Sequence, residues 1–186
     1  MQNSIRSWAA LKSLIATPDL PDLGPGPRAT RLPLSELNRK VDCFIEEASL
    51  ASTLHPLVRS AALLWHDYLD ESHSLSQDIH TADGSFLHGI MHRREPDYNN
   101  AKYWFQRVGK HACFADIAQQ VARLLETKRE KELAADLAPR GDWDPFAFVD
   151  ACEEAANRPS CDHRVHTLKA IQEIEFDCLL AQVFAK

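Results

Sequence analysis

The chain has 186 residues, 45% hydrophobic and 26% charged, the size and composition of one ordinary globular domain. A domain of this size buries roughly 70% of the surface that its unfolded chain exposes, so its core needs neither a disulfide nor a structural metal. The net charge of −6 argues against nucleic acid as a partner, because phosphate binding calls for a dominant basic face.

Residues 1–16 carry Arg6 and Lys12 but no acid. Ile5, Trp8, Leu11 and Ile15 are loosely amphipathic, so this stretch reads as a short docking helix, with a weak transit peptide as the alternative, and no secretory signal is visible. Residues 17–33 hold Pro18, Pro21, Pro25, Pro27 and Pro33 with Gly24 and Gly26, which prevents a helix and favours an extended path. The expected organisation is an extended Pro-rich N-terminal arm over residues 1–33 and one globular body over 34–186.

From Leu34 the pattern is helical. Ser35 caps a predicted helix to about Ser52, and His55-Pro56 opens one that runs to about His80, since proline fits a first turn. Thr81-Ala82-Asp83-Gly84 reads as a turn, followed by a shorter helix over 85–94. Asp97 caps a helix from Tyr98 to Val108 that Gly109 closes. A long amphipathic helix is predicted over 114–137, ended by Pro139 and Gly141. Asp144-Pro145 starts another to about Asn157, and the last spans about 162–184. With no β alternation, the fold class is an all-α, bundle-like single domain of six to eight helices.

Five of nine histidines fall between His66 and Glu95. At about 100° per residue, Asp70, His73, Gln77 and His80 lie within about 40° of His66 on one face of the predicted 55–80 helix. His88, His92 and Glu95 share a face of the next. One reading leaves both stripes in solvent, opposite their apolar faces. The other folds the helices into an antiparallel hairpin about residues 81–84, with His73 opposite His92, Gln77 opposite His88, and Asp70 opposite Glu95.

The second reading makes Asp70, His73, His88 and His92 candidate ligands for a divalent transition metal (zinc, iron, nickel or manganese), because imidazole and carboxylate together suit these ions. The His-x3-His pair brings two ring nitrogens to one ion, but Gly89 stands where a zinc protease needs glutamate. The same cluster makes His73, His92 and Glu95 candidate catalytic proton carriers near neutral pH. Arg93, Arg94 and Lys102 are candidate binding groups for an anionic small molecule, since residues 86–111 carry five Lys/Arg against two acids. The competing reading is a non-catalytic interaction module whose basic stretch 93–110 docks an acidic protein.

The block His88-Gly-Ile-Met-His92-Arg-Arg-Glu-Pro-Asp97-Tyr-Asn-Asn-Ala-Lys102-Tyr-Trp-Phe-Gln-Arg-Val-Gly109, with Trp65-His66-Asp67 and Asp83-Gly-Ser-Phe upstream, resembles a group of uncharacterised microbial proteins. The resemblance covers residues 65–109 and implies no activity. Cys152, Cys161, His163 and His166 have a zinc-like inventory but no standard finger spacing. Six glycines without a P-loop or Gly-x-Gly-x-x-Gly make a nucleotide cofactor unexpected. Five scattered cysteines without a CxxC pair read as reduced thiols in a cytoplasmic protein. The apolar run Ala61–Trp65 is too short for a membrane span. An oligomer is compatible with all of this.

Overall fold

Capping side chains and helix-ending turns decide where this chain breaks into rods. The computed structural model describes residues 7–185, so Ile5 and Arg6 of the expected docking helix lie outside them. The all-α expectation holds, but the described residues form ten α-helices rather than six to eight: α1 Trp8–Leu14, α2 Leu34–Glu47, α3 His55–Trp65, α4 Leu69–Ser76, α5 Ala82–Arg94, α6 Tyr98–Val108, α7 Phe114–Lys128, α8 Lys131–Leu137, α9 Pro145–Ala155 and α10 His163–Phe184. None is long and apolar enough to cross a membrane.

The extra helices come from two breaks. The predicted 55–80 helix stops at Trp65, where Asp67 adopts φ 63°, Asp67 N donates to Leu64 O and Tyr68 N donates to Leu63 O. The predicted 114–137 helix stops at Lys128 in the same way, with Arg129 at φ 60° and bonds from Arg129 N to Glu126 O and Glu130 N to Leu125 O. Both are Schellman turns, in which a left-handed residue satisfies the last carbonyls. Glycine usually fills that position. Here aspartate and arginine do.

The N-terminal segment is not a free arm. Trp8, Leu11 and Ile15 are buried in the core. Trp8 Nε1 donates to Asp177 Oδ1 at 2.6 Å, and Lys12 Nζ reaches Glu173 and Asp177 on α10 at 2.6 and 2.9 Å. Residues 17–33 lack helix, as the prolines require, yet are pinned to the α3–α4 break. Leu32 N donates to His66 Nδ1 at 3.1 Å, His66 Nε2 donates to Ile15 O at 2.9 Å, and Tyr68 Oη donates to Leu32 O at 2.9 Å. Arg28 donates to Asp67 Oδ2 through its backbone N and its Nε, at 2.9 and 2.8 Å.

Helix α5 is the central rod. Thr81 caps it by accepting from Gly84 N at 3.1 Å, so the predicted 81–84 turn is instead the first turn of the helix. Every residue from Asp83 to Arg94 is buried, which rules out the reading that left its histidine stripe in solvent. Gly89 lets α6 approach: a Cβ there would lie 2.9 Å from the Phe105 ring. Gly89→Ala should therefore destabilise the fold by about 1–3 kcal/mol through overpacking, despite the roughly 1 kcal/mol gain in helix propensity. Urea denaturation reads this directly, and an unchanged or raised midpoint would contradict the packing.

Candidate metal centre

Helix α4 contributes His73, and α5 contributes His88 and His92 one turn apart. The helices meet as the hairpin reading expected, although α4 is a separate short rod. One ligand atom from each of the three histidines lies within 4.8 Å of the other two. The His73 ring centre is 4.7 Å from that of His88 and 5.1 Å from that of His92. His88 and His92 are buried and His73 is half-buried, so the cluster has one side nearer to solvent. Among the described residues this is the one convergent group of three or more His, Cys, Asp or Glu.

Outer contacts fix two of the rings. His88 stacks on Trp104 with centroids 3.8 Å apart and planes 14° from parallel. Its Nδ1 lies 3.4 Å from Ser76 Oγ, which leaves Nε2 as the ligand atom. His92 Nδ1 lies 3.1 Å from Glu95 Oε2, and the Asn100 amide nitrogen lies 3.1 Å from His92 Nε2. A carboxylate on the distal nitrogen orients a metal-binding imidazole and raises its basicity. Asn100 would have to yield its contact when an ion takes Nε2.

Burial pushes both His88 and His92 down to about 4, and the neighbouring imidazoles add to the shift. Both rings are thus neutral at physiological pH, the form that binds metal. A base this weak is poorly matched to proton transfer near neutrality, so the geometry favours His92 as a ligand over His92 as a proton carrier. Burial raises the Glu95 carboxyl. His66, buried beneath the N-terminal strap, is also pushed down to about 4, chiefly by desolvation.

These three histidines give the fold an acid sensitivity of defined sign. Between 6.5 and about 4 the unfolded chain binds protons at positions 66, 88 and 92 that the folded chain refuses. Their contribution is fully present above the unfolded value and is lost as pH falls through that window. The melting temperature should drop across it. A melting temperature that holds or rises there would contradict the burial of these rings.

Several sequence candidates lie elsewhere. Asp70 is exposed in the first turn of α4 and is not among the converging ligands. His80 and Gln77 are exposed, and His66 belongs to the strap. Arg93 and Arg94 are fully buried and committed internally, which corrects their assignment as anion-binding groups. Arg93 donates to Glu175 Oε2 at 2.5 Å and to Gln172 Oε1 at 3.3 Å, and lies over the Phe148 ring at 4.3 Å. Arg94 donates to Asp67 Oδ1 at 2.5 Å and to Leu64 O. Lys102 is paired with Asp150 on α9. A basic docking face over 93–110 therefore loses the two arginines at its start.

Sequence reasoning missed Ser76 and Asn100. Asn100 and Trp104 are spaced i, i+4 on α6, as His88 and His92 are on α5. An antiparallel α5–α6 pairing about Pro96 would have matched Asn100 with His92 and Trp104 with His88.

Compared with known proteins, the chain matches no family model, no curated sequence and no solved structure.

Proposed function

We propose that the protein is a metal-dependent enzyme acting on an anionic small molecule, with His73, His88 and His92 as the ligands of one divalent transition ion. The observation that carries this reading is the convergence of three ring nitrogens within 4.8 Å, two of them on imidazoles whose burial keeps them neutral. Tetrahedral coordination with bonds of about 2.0–2.1 Å separates ligand nitrogens by about 3.4 Å. The rings are therefore near that geometry and would close by at most about 1.4 Å on loading.

Three neutral nitrogens suit zinc first, then nickel or iron, and manganese least. They leave the ion's double positive charge uncompensated, so an anionic substrate is favoured at the remaining position without help from Arg93 or Arg94. Held by these three residues, an ion would supply Lewis acidity. The chain's own residues hold the geometry: Glu95 orients His92, the Trp104 ring fixes His88, and the Asn100 amide can hydrogen-bond a group near His92. This supports hydrolytic chemistry on a bound anion.

The test is to strip the protein with chelator, add cobalt(II), and then titrate phosphate. One equivalent of cobalt should give a visible-region spectrum of low-coordinate nitrogen ligation, and phosphate should shift it. A featureless octahedral spectrum, or one insensitive to phosphate, would count against the reading.

A further inference from the structure

A second site is a cleft of about 610 Å³ lined by the α6–α7 connection with the start of α7, and by the segment leading into α9. We propose that this cleft binds a free aromatic amino acid. Its volume falls within the range of about 300–1,000 Å³ typical of small-molecule sites. Phe114 comes from one lining segment and Trp143 and Phe146 from the other, and Phe146 is 39% exposed, unusually so for a large apolar side chain. Trp143 is only 5% exposed, so Phe146 offers the accessible ring on that segment.

The charged groups narrow the ligand class. Asp144 is occupied as the N-cap of α9, accepting from Phe146 N and Ala147 N at 2.9 and 3.1 Å. His111 is held by Asp83 Oδ1 at 3.0 Å from Nε2 and by Cys113 Sγ at 2.9 Å from Nδ1. Lys110 and Asp142 remain, one on each lining segment, and among the described residues no ion-pair partner meets either. A simple acid would leave Asp142 unmatched, and a simple amine would leave Lys110 unmatched. A zwitterion satisfies both, with its ring against the aromatic side chains of the lining, its carboxylate toward Lys110 and its ammonium toward Asp142. The site shares no residue with the histidine cluster, so it stands or falls separately from the metal reading.

Calorimetric titration of the full chain with L-phenylalanine, 3-phenylpropionate and phenethylamine tests this. L-Phenylalanine should bind with a Kd of about 1 mM or tighter, and each half-ligand at least about tenfold more weakly. Asp142→Asn should abolish the preference over phenylpropionate, and Lys110→Gln the preference over phenethylamine. Both are surface changes that leave the fold intact. Absence of L-phenylalanine binding would overturn the proposal. So would equal binding of either half-ligand, or variants that discriminate as the wild type does.

Discussion

Asp67→Ala should cost about 3–5 kcal/mol, the scale expected when one member of a buried ionic cluster is removed and the others are left charged. The Asp67 carboxylate is fully buried between the Arg28 and Arg94 guanidiniums, themselves 6% and 0% exposed. It also accepts the Arg28 backbone N–H. One carboxylate thus ties the N-terminal strap, the α3–α4 break and the end of α5 together. Because Asp67 has φ 63°, Asp67→Gly separates its two roles: glycine relieves the left-handed backbone but still removes the carboxylate. Chemical denaturation should show both variants strongly destabilised, with glycine somewhat less so. A cost below about 1 kcal/mol for alanine, the range of a surface pair, would contradict the clasp. Since the break sets the direction of α4, both variants should also weaken metal binding at His73.

His92→Ala should do the opposite, removing metal binding and sparing the fold. Loss of an outer-sphere partner typically weakens a metal site by about 10–100-fold. Loss of one of three ligands should exceed that, and Glu95→Gln should fall within it. Competitive titration of zinc against a chromophoric chelator measures both. The metal-free variants should melt close to the wild type, because the imidazole at position 92 makes no buried ion pair with a permanent charge. Zinc affinity unchanged in His92→Ala would remove the histidine cluster from the account.

The separation between these two variants follows from how the chain is built, and so does what its sequence could reveal. Helix starts were legible where a side chain caps its own helix. Asp97, Asp144 and Asp162 each accept a backbone N–H two or three residues on, and each was expected to begin a helix. Helix ends were legible at Gly109 but not at residues 49, 67 and 129. There Ser49, Asp67 and Arg129 take left-handed conformations without the glycine that announces such a turn. The compensation at Asp67 is tertiary: Arg28 and Arg94 lie 39 and 27 positions away, beyond any local pattern.

The histidine cluster was legible because antiparallel helices joined by a short connection pair their residues in mirror order. That argument brought His73 to His92 with His88 one turn away, and the structure leaves out Asp70. The fate of Arg93 and Arg94 was not legible. Two adjacent arginines read as surface, and only partners such as Glu175, 82 positions away, reveal that α5 is enclosed on all sides. The helix carrying two of the three ligands is thus the best-buried rod among the described residues, which suits a centre that must hold its rings at fixed separations.

X-ray absorption at the zinc edge of protein loaded with one equivalent of zinc tests the central claim most directly. The account predicts a first shell of nitrogen and oxygen at about 2.0–2.1 Å, with the multiple-scattering signature of three imidazoles. That signature should fall to two imidazoles in His73→Ala. A sulfur shell at about 2.3 Å, or an imidazole count that does not change in His73→Ala, would contradict it.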